Sequence, residues 1–481
     1  MNLGLLSHEW LVVALGLGLL LADLWVPSTA RRRLGYLAAA GVGLVLLYSV
    51  FFVRLGPGEV QYACGNMFAL DGLALFFKRF FLLAAIIVLI MSVEFIDLVS
   101  AGEYYALVLF ALAGMLFASS ANNFALLFVS LELITVTFYV LTSFQRSRLT
   151  SLEAGVKYLI IGALSTSFTV FGIALVFGVA GTLDFPQLAA VAGQFAGNRI
   201  FLFGLLLVMV GLGFKIAAFP FQIWAPDVYQ GAPAPTTAFL AVGSKAAGFV
   251  LLLRVLFLAV PDVTLQWSKL LIVISAITIL YGNLCAIPQR NVKRLLGYSS
   301  IAHAGYMLLG VAALSAAGQS AILYYLSGYL FTVLGAFTVI CLIMQHIESE
   351  DISSLAGLTQ RSPLLALTMT FAMVSLAGIP PLAGFFGKFL LLKAAIAQGA
   401  AHPGYYWLVA IAIIGVVISL YYYFGVVRVM FWSKDSTDLS PIKTSTPVRL
   451  SLYACLLGML FLGIYPAPVV TLVTQAVKVL K

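Results

Sequence analysis

Apolar runs of about twenty residues follow one another along almost the whole chain, and this feature limits the fold more than any other. A helix that crosses a bilayer needs about 20 mainly apolar residues. Of the 481 residues, 63% are hydrophobic and only 9% are charged, whereas soluble domains carry about 25% charged residues. Too few polar side chains remain to cover a surface that faces water. The sequence therefore predicts an all-α polytopic membrane protein that is surrounded by lipid.

Polar residues, glycines and prolines divide this apolar sequence into fourteen predicted transmembrane helices. The predicted helices are 8–27, 34–54, 74–98, 103–119, 121–143, 153–180, 199–230, 235–260, 268–288, 293–316, 320–347, 363–399, 404–431 and 447–475. They form a single transmembrane domain, 1–481, without a soluble domain. Its expected parts are three N-terminal helices (1–100), a first repeat (101–262), a second repeat (263–433) and a C-terminal loop with helix 14 (434–481).

The net charge of +9 reflects orientation in the membrane and does not indicate nucleic-acid binding. Lys and Arg accumulate in the short cytoplasmic loops of membrane proteins. In this chain they cluster in the connections after helices 1, 5, 9 and 13, which all lie on one side of the membrane. These basic residues are Arg31, Arg32, Arg33, Arg146, Arg148, Arg290, Lys293, Arg294, Arg428, Lys434, Lys443 and Arg449. Both termini are therefore predicted on the outer side of the membrane, which is the periplasm in a bacterium.

No cofactor or metal site is predicted in this chain. The four cysteines follow no metal-binding or disulfide spacing, and no glycine-rich nucleotide loop or zinc spacing is present. These cysteines are Cys64, Cys285, Cys341 and Cys455. Covalent chemistry is therefore not expected here, and any energy source must come from a partner.

Two of the predicted helices, 7 and 12, contain prolines and are expected to be discontinuous. Proline lacks a backbone N–H and clashes with the carbonyl four residues earlier. Within hydrocarbon, a freed carbonyl is tolerated only inside protein or beside a water-filled cavity. Pro220 interrupts helix 7, and Pro380 and Pro381 interrupt helix 12. The carbonyls expected to be freed are those of Ile216, Leu376 and Ala377.

Matching features recur along the chain at a nearly constant separation. Lys388 lies 173 residues (388 − 215) after Lys215, and each lysine is close to a helix break. His303 lies 171 residues (303 − 132) after Glu132. Each unit contains five helices. Because five is an odd number, two consecutive units have opposite orientations in the membrane. We therefore predict two inverted five-helix repeats, helices 4–8 and 9–13, which is a design typical of transporters.

Several ionisable side chains fall inside the predicted helices, where each charge costs about 2.5 to 3.5 kcal/mol on insertion scales. Such groups must be paired, neutralised or hydrated, and they are typical of proton pathways. A lysine in an apolar environment releases its proton more readily, and a nearby carboxylate opposes that release. A Glu132–Lys215 pair is therefore predicted to act as a switch. The candidate proton-transfer residues are Glu132, Lys157, Lys215, Lys245, His303 and Lys388.

Each of these assignments has a structural alternative. Lys215 and Lys388 have the alternative of stabilising the helix breaks by capping freed carbonyls. Glu132 has the alternative of a static ion pair, and His303 that of a packed, hydrogen-bonded ring. Lys245 and Lys157 have the alternative of structural pairing. The lysines and arginines near helix ends are predicted to extend to the membrane surface; these are Lys78, Arg79, Arg254 and Lys269.

Two segments closely resemble the antiporter-like subunit N of bacterial NADH:quinone oxidoreductase, respiratory complex I. Segment 211–245 contains Phe-Pro-Phe-Gln-Ile-Trp-Ala-Pro-Asp-Val-Tyr-Gln-Gly-Ala-Pro, and segment 378–388 reads Gly-Ile-Pro-Pro-Leu-Ala-Gly-Phe-Phe-Gly-Lys. The resemblance extends over essentially the whole chain. It implies a proton channel of the membrane arm that is driven by quinone reduction in partner subunits. The family positions that it implies are Glu132 in helix 5, Lys157 in helix 6, Lys215 in helix 7, Lys245 in helix 8, His303 in helix 10 and Lys388 in helix 12.

The resemblance also implies the surroundings of the chain. The parent complex is expected to use NADH, FMN, iron–sulfur clusters and quinone in other subunits. The expected neighbours are lipid, small membrane subunits on one side and another antiporter-like subunit on the other. Alternatives left open are a subunit of an Mrp-type cation/proton antiporter, a related hydrogenase-type membrane complex, and a structural scaffold that translocates nothing.

Overall fold

The computed structural model describes residues 2–27, 30–56, 58–95, 100–347, 349–400, 402–432 and 440–480. Within these residues, 13 helices are long and apolar enough to cross a membrane. A fourteenth predicted segment, 363–399, is filled by two shorter helices. The prediction of an all-α polytopic membrane protein is therefore confirmed. Lys434 and the predicted boundary between 433 and 434 lie outside the described residues.

The α-helices follow the predicted segments closely. In chain order they are α1 Ser7–Asp23, α2 Arg33–Phe51, α3 Gly72–Glu94, α4 Ala101–Ser119, α5 Phe124–Thr142, α6 Leu149–Ala180, α7 Phe185–Ala192, α8 Arg199–Ile216, α9 Trp224–Gly231, α10 Ala234–Phe239, α11 Lys245–Arg254, α12 Pro261–Thr264, α13 Ser268–Ala286, α14 Val292–Ala312, α15 Ala316–Met344, α16 Leu358–Arg361, α17 Pro363–Ala377, α18 Ala383–Ala397, α19 Gly404–Trp432, α20 Thr446–Ile464 and α21 Ala467–Ala476. Short 3₁₀ helices are Leu3–Leu6, Gly193–Phe195, Leu265–Trp267, Ile352–Leu355 and Val477–Leu480.

A small hairpin that the sequence did not predict connects α2 to α3. Its strands, β1 Gln61–Ala63 and β2 Phe68–Leu70, pair antiparallel. Cys64 and Asn66 in the turn have positive φ angles of 52° and 65°. The hairpin leads directly into Asp71, whose side chain accepts a hydrogen bond from the Ala74 amide and caps α3.

Both predicted helix breaks are present. Helix 7 consists of α8 and α9, and Ala217 ends α8 in a left-handed conformation with φ +59°. Helix 12 consists of α17 and α18, and Gly378 at φ +85° ends α17. A positive φ is easy for glycine but uncommon for alanine, so the first break is enforced by its surroundings. The peptide bonds before Pro220 and Pro381 are cis.

Helices 8 and 14 differ from the uniform helices predicted at 235–260 and 447–475. Helix 8 contains two π-helical turns, Leu240–Ser244 and Val255–Ala259, on either side of α11. Such turns have no simple sequence signal, and they often mark functional sites. Helix 14 ends at Ile464, and the chain continues as the separate helix α21 after Pro466. The prediction of one helix to residue 475 was therefore wrong, because proline cannot continue the hydrogen-bond ladder.

Two matching loop contacts recur at the separation predicted for the repeats. Asn123 caps α5 and pairs through its backbone with Asp184. Asn291 caps α14 and pairs in the same way with Asp351. The separations are 168 (291 − 123) and 167 (351 − 184) residues, and five helices lie between the two caps. This recurrence agrees with the inverted repeats, whose boundaries at 101–262 and 263–433 stay predictions.

Two buried ion pairs fasten the N-terminal helices to the rest of the chain. Lys78 of α3 donates to Glu9 of α1, and both side chains are buried. Nη2 of Arg254 in α11 donates to both carboxylate oxygens of Asp71, at 2.9 Å each. The Arg254 guanidinium also donates to the Ser119 carbonyl at 2.8 Å. The prediction that Lys78 and Arg254 reach the membrane surface was wrong, since acidic partners come from distant parts of the sequence.

Replacing Arg254 with methionine is expected to destabilise the chain by about 3–5 kcal/mol, because it leaves the buried Asp71 carboxylate without its partner. The side chain of Arg254 is 0% exposed, so water cannot take over its role. Unfolding in mixed detergent micelles measures the effect. Combining Arg254→Met with Asp71→Asn is expected to recover part of the loss, because asparagine still caps α3. A stability change below about 1 kcal/mol for the single variant, which is typical of exposed pairs, would contradict this account.

Candidate functional site

Lys215 lies in the last turn of α8, immediately before the break in helix 7. Its side chain is only 2% exposed. The ammonium donates to the Thr135 hydroxyl of α5 at 2.5 Å and lies 5.9 Å from the centre of the Tyr158 ring. The helix break therefore places a buried cation against α5 and α6.

Glu132 lies one turn before Thr135 on α5, on the same side of the helix. Its carboxylate accepts a hydrogen bond from Thr166 of α6 at 2.7 Å. Within the described residues Glu132 and Lys215 form no direct ion pair. The lysine donates to Thr135 and the glutamate accepts from Thr166, so the predicted pair is not formed in this structure, and its action as a switch stays a prediction.

Lys245 begins α11, directly after the first π-helical turn. Its ammonium donates to the Ser300 carbonyl at 2.5 Å and to the Ser300 hydroxyl of α14. Tyr229 and Tyr329 also meet this hydroxyl, at 2.9 and 3.0 Å. A Cβ atom on Gly248, one turn after Lys245, would lie 3.3 Å from the Lys215 Cβ. The absence of a side chain at Gly248 therefore allows α11, which carries Lys245, to approach α8, which carries Lys215.

His303 lies one turn after Ser300 on α14, and both ring nitrogens have hydroxyl partners. Nδ1 meets the Tyr325 hydroxyl, and Nε2 meets the Tyr423 hydroxyl at 3.0 Å. The Tyr423 hydroxyl also contacts the Ser299 hydroxyl. Because a neutral imidazole has one donor and one acceptor nitrogen, a proton added to one nitrogen can leave from the other.

Lys388 lies in α18, beyond the break in helix 12. Its ammonium donates to the carbonyls of Leu376 at 2.7 Å and Ala377 at 3.1 Å. These are the two carbonyls that the prolines were predicted to free, so the predicted capping contact is confirmed. The Lys388 ammonium also lies 4.9 Å from the centre of the Tyr306 ring on α14.

Lys157 is placed differently from the other lysines. It lies in the third turn of α6, and its side chain is 41% exposed. Its ammonium pairs with Glu153 at 2.7 Å and with Asp227 at 2.8 Å. Arg294 also contacts Asp227, at 2.5 Å. The structure therefore separates Lys157 from the buried line and puts it in a charged cluster that the sequence analysis missed.

One face of α14 connects the buried groups into a line. Ser300, His303 and Tyr306 follow at intervals of three residues, which places them on the same helix face. Lys245 contacts the first of them and Lys388 the last. The line thus runs from Lys245 to Lys388, and Lys215 approaches its start.

Hydroxyl groups fill the spaces between the ionisable groups, and the sequence analysis missed them. A hydroxyl both donates and accepts hydrogen bonds, so it can pass a proton between neighbours. The missed side chains are Thr135, Thr166, Tyr229, Ser299, Ser300, Tyr325, Tyr329 and Tyr423. The sequence signal available for them was the four-residue spacing of Tyr325 and Tyr329, which puts both on one face of α15, the helix that follows the one carrying His303. Within the described residues no group of three His, Cys, Asp or Glu could hold a metal ion.

Comparison with known proteins agrees with the fold. The sequence matches the family described as NADH:quinone oxidoreductase/Mrp antiporter, TM, over residues 121–419. NADH-quinone oxidoreductase subunit N of Trichlorobacter lovleyi is 40% identical over 484 residues, covering 100% of this chain and 98% of that protein. In the structure of respiratory complex I from Thermus thermophilus with bound aureothin, one chain has a TM-score of 0.79 and 33% identity, covering 96% of this chain and 98% of that chain.

The same fold occurs in the Mrp complex from Dietzia sp., with a TM-score of 0.84 at 21% identity over 100% of this chain and 98% of that chain. The chain therefore belongs to the NADH:quinone oxidoreductase/Mrp antiporter family of membrane proteins. Within that family, full-length identity of 36 to 40% places it among the NADH-quinone oxidoreductase subunits N. The resemblance predicted from segments 211–245 and 378–388 is confirmed.

Proposed function

We propose that this chain translocates protons as a membrane-arm subunit of NADH:quinone oxidoreductase, respiratory complex I. The observation that carries the proposal is the line of buried ionisable and hydroxyl groups along α14 from Lys245 to Lys388, which Lys215 approaches at its start. Lysines near the middle of the membrane are rare because burying their charge is costly, and those that occur usually mark transport pathways. The proposed proton-transfer residues are Glu132, Lys157, Lys215, Lys245, His303 and Lys388.

The Glu132–Lys215 pair is the proposed gate. In the closed arrangement, the carboxylate approaches the ammonium and favours the protonated lysine. In the open arrangement, Thr135 holds the ammonium at 2.5 Å and Thr166 holds the carboxylate. A lysine without its counter-charge in an apolar environment then releases its proton toward Lys245. Alternation between the two arrangements moves one proton along the line.

The two ends of the proposed pathway have different roles, and Lys157 lies at its cytoplasmic end, outside the buried line itself. Lys157, half-exposed and paired with Asp227, lies near the beginning of α6 and exchanges protons with the cytoplasmic side. Lys388 takes the proton from His303 at the other end. Because Lys388 is bound to two carbonyls of the broken helix, its deprotonation also weakens the contact between α17 and α18. Capping and proton release are therefore two consequences of the same contact.

The proposed surroundings follow from the family. NADH, FMN, iron–sulfur clusters and quinone are held by other subunits, and quinone reduction there drives this chain. Small membrane subunits flank one side, and another antiporter-like subunit flanks the other. The chain lies in the bacterial inner membrane with both termini in the periplasm. The basic connections after helices 1, 5, 9 and 13 support this orientation, as positive charge is retained on the cytoplasmic side.

Replacing Glu132 with glutamine is expected to lower coupled proton uptake about tenfold, because an opposite charge nearby changes a protonation equilibrium by about that factor or more. Glutamine keeps an acceptor for Thr166, so the packing of α5 against α6 is preserved. Membrane vesicles that contain the assembled complex allow proton uptake and quinone reduction to be measured together. Glu103→Gln, on the exposed side of α4, is the matched control. Unchanged uptake in Glu132→Gln would refute the gate.

A further inference from the structure

A groove at one end of the helix bundle is separate from the proton-transfer line. It has a volume of about 550 Å³ and lies between α2, α3, α15, α20 and α21. Binding pockets for small ligands span about 300–1,000 Å³. Most of the lining is apolar and includes Leu83, Phe331 and Phe461. The groove is therefore large enough for an extended hydrocarbon chain and has the matching chemistry.

The charged residues of the groove are grouped near the ends of its helices. Glu59 lies in the connection between α2 and α3, and Lys478 lies in the 3₁₀ helix that follows α21. Both are exposed, and Arg79 lies two turns into α3. These three charged residues line the groove together with mainly apolar side chains. A membrane lipid likewise combines a charged headgroup with apolar acyl chains.

Two of the three charged side chains that line the groove, Arg79 and Glu59, are held in place by hydrogen bonds within the chain. Arg79 donates to the carbonyls of Ser49 at 2.7 Å and Val53 at 2.9 Å, beside the end of α2. Glu59 accepts hydrogen bonds from the Gly56 amide at 2.8 Å and from the side chain of Gln61 at 2.6 Å. The hydrogen bonds from Gln61 and Gly56 hold the pKa of Glu59 below its usual value. The groove entrance thus presents fixed positive and negative charge together.

This combination of charges selects among membrane lipids. Arginine and lysine bind phosphate oxygens through charge-assisted hydrogen bonds, and Glu59 can accept the same kind of bond from a primary ammonium. A purely anionic headgroup would bind the arginine and the lysine, but Glu59 would repel it. We propose that the groove binds a glycerophospholipid with an amine headgroup, a phosphatidylethanolamine. The phosphate lies between Arg79 and Lys478, the ammonium lies beside Glu59, and one acyl chain extends toward Phe331.

The proposal is tested on the whole assembled complex in phosphatidylglycerol vesicles that contain phosphatidylethanolamine with a photoreactive diazirine in one acyl chain. After irradiation, labelled peptides are expected from α3 and α20. Unlabelled phosphatidylethanolamine is expected to compete, and added phosphatidylglycerol is not. The combined variant Glu59→Gln, Lys478→Gln is expected to lower labelling about fivefold or more, since one basic contact at the membrane surface contributes about this factor.

Two further variants complete the test. Lys269→Gln removes an exposed lysine outside the groove at the start of α13, and its labelling is expected to equal that of the unmodified complex. Leu472→Trp adds volume to the groove wall and is expected to lower labelling without a change of charge. The proposal is overturned if phosphatidylglycerol competes equally well or if the double variant labels normally. It is also overturned if the groove peptides cross-link to a neighbouring subunit in place of lipid.

Discussion

Replacing Lys245 with methionine is expected to lower proton uptake and quinone reduction together by about 10² or more, the usual contribution of a positioned proton-transfer group. Methionine is unbranched and of similar length, so it fills the same space between α11 and α14. It cannot donate to the Ser300 carbonyl, and it removes the only ammonium in contact with the hydroxyl shared by Tyr229 and Tyr329 among the described residues. The line is then interrupted between Lys215 and His303.

Lys269→Met is the matched control for this variant, because Lys269 is an exposed lysine at the start of α13 and outside the line. Assembly of the complex is verified for both variants before activities are compared. Both activities are measured in the same vesicles, so that a loss of coupling is distinguished from a loss of turnover. If Lys245→Met keeps more than about half of both activities, Lys245 has only a structural role, and Ser300 does not transmit protons.

The helix breaks could be predicted from the sequence because their cause is local. A proline frees the carbonyl four residues earlier, whatever surrounds it. Leu376 and Ala377 were identified in this way, and the structure shows both carbonyls bound to Lys388. The depth of Lys215, Lys245 and Lys388 was likewise visible from the apolar residues around them. The same reasoning gave the number of crossing segments and the positions of most helix ends.

Long-range partners could not be predicted, because they depend on how the helices pack. Arg254 appears in the sequence as a basic residue near a helix end, yet it binds Asp71, which is 183 residues earlier. The sequence places Lys157 inside an apolar helix, yet in the structure it pairs with Asp227 in a partly exposed cluster. In both cases the deciding acidic residue lies in a loop or a broken helix, where periodicity gives no indication of direction.

The hydroxyl groups that join the line were missed for a different reason. Tyrosine is common in apolar helices, and buried tyrosines usually serve packing. Tyr324 donates to the Leu462 carbonyl and packs against Phe386. Its neighbour Tyr325 contacts His303. Two adjacent tyrosines thus face different surroundings, and only the position of α14 decides which of them belongs to the site.

Lys215→Ala tests the central claim most directly, because Lys215 is the cation of the proposed gate and is 2% exposed. Vesicles with the assembled variant complex are assayed for quinone reduction and proton uptake together. The account predicts normal assembly and a steep fall of both activities, by about 10² or more. If assembly and both activities stay near those of the unmodified complex, Lys215 is structural, the gate does not exist, and the chain is a scaffold of the membrane arm.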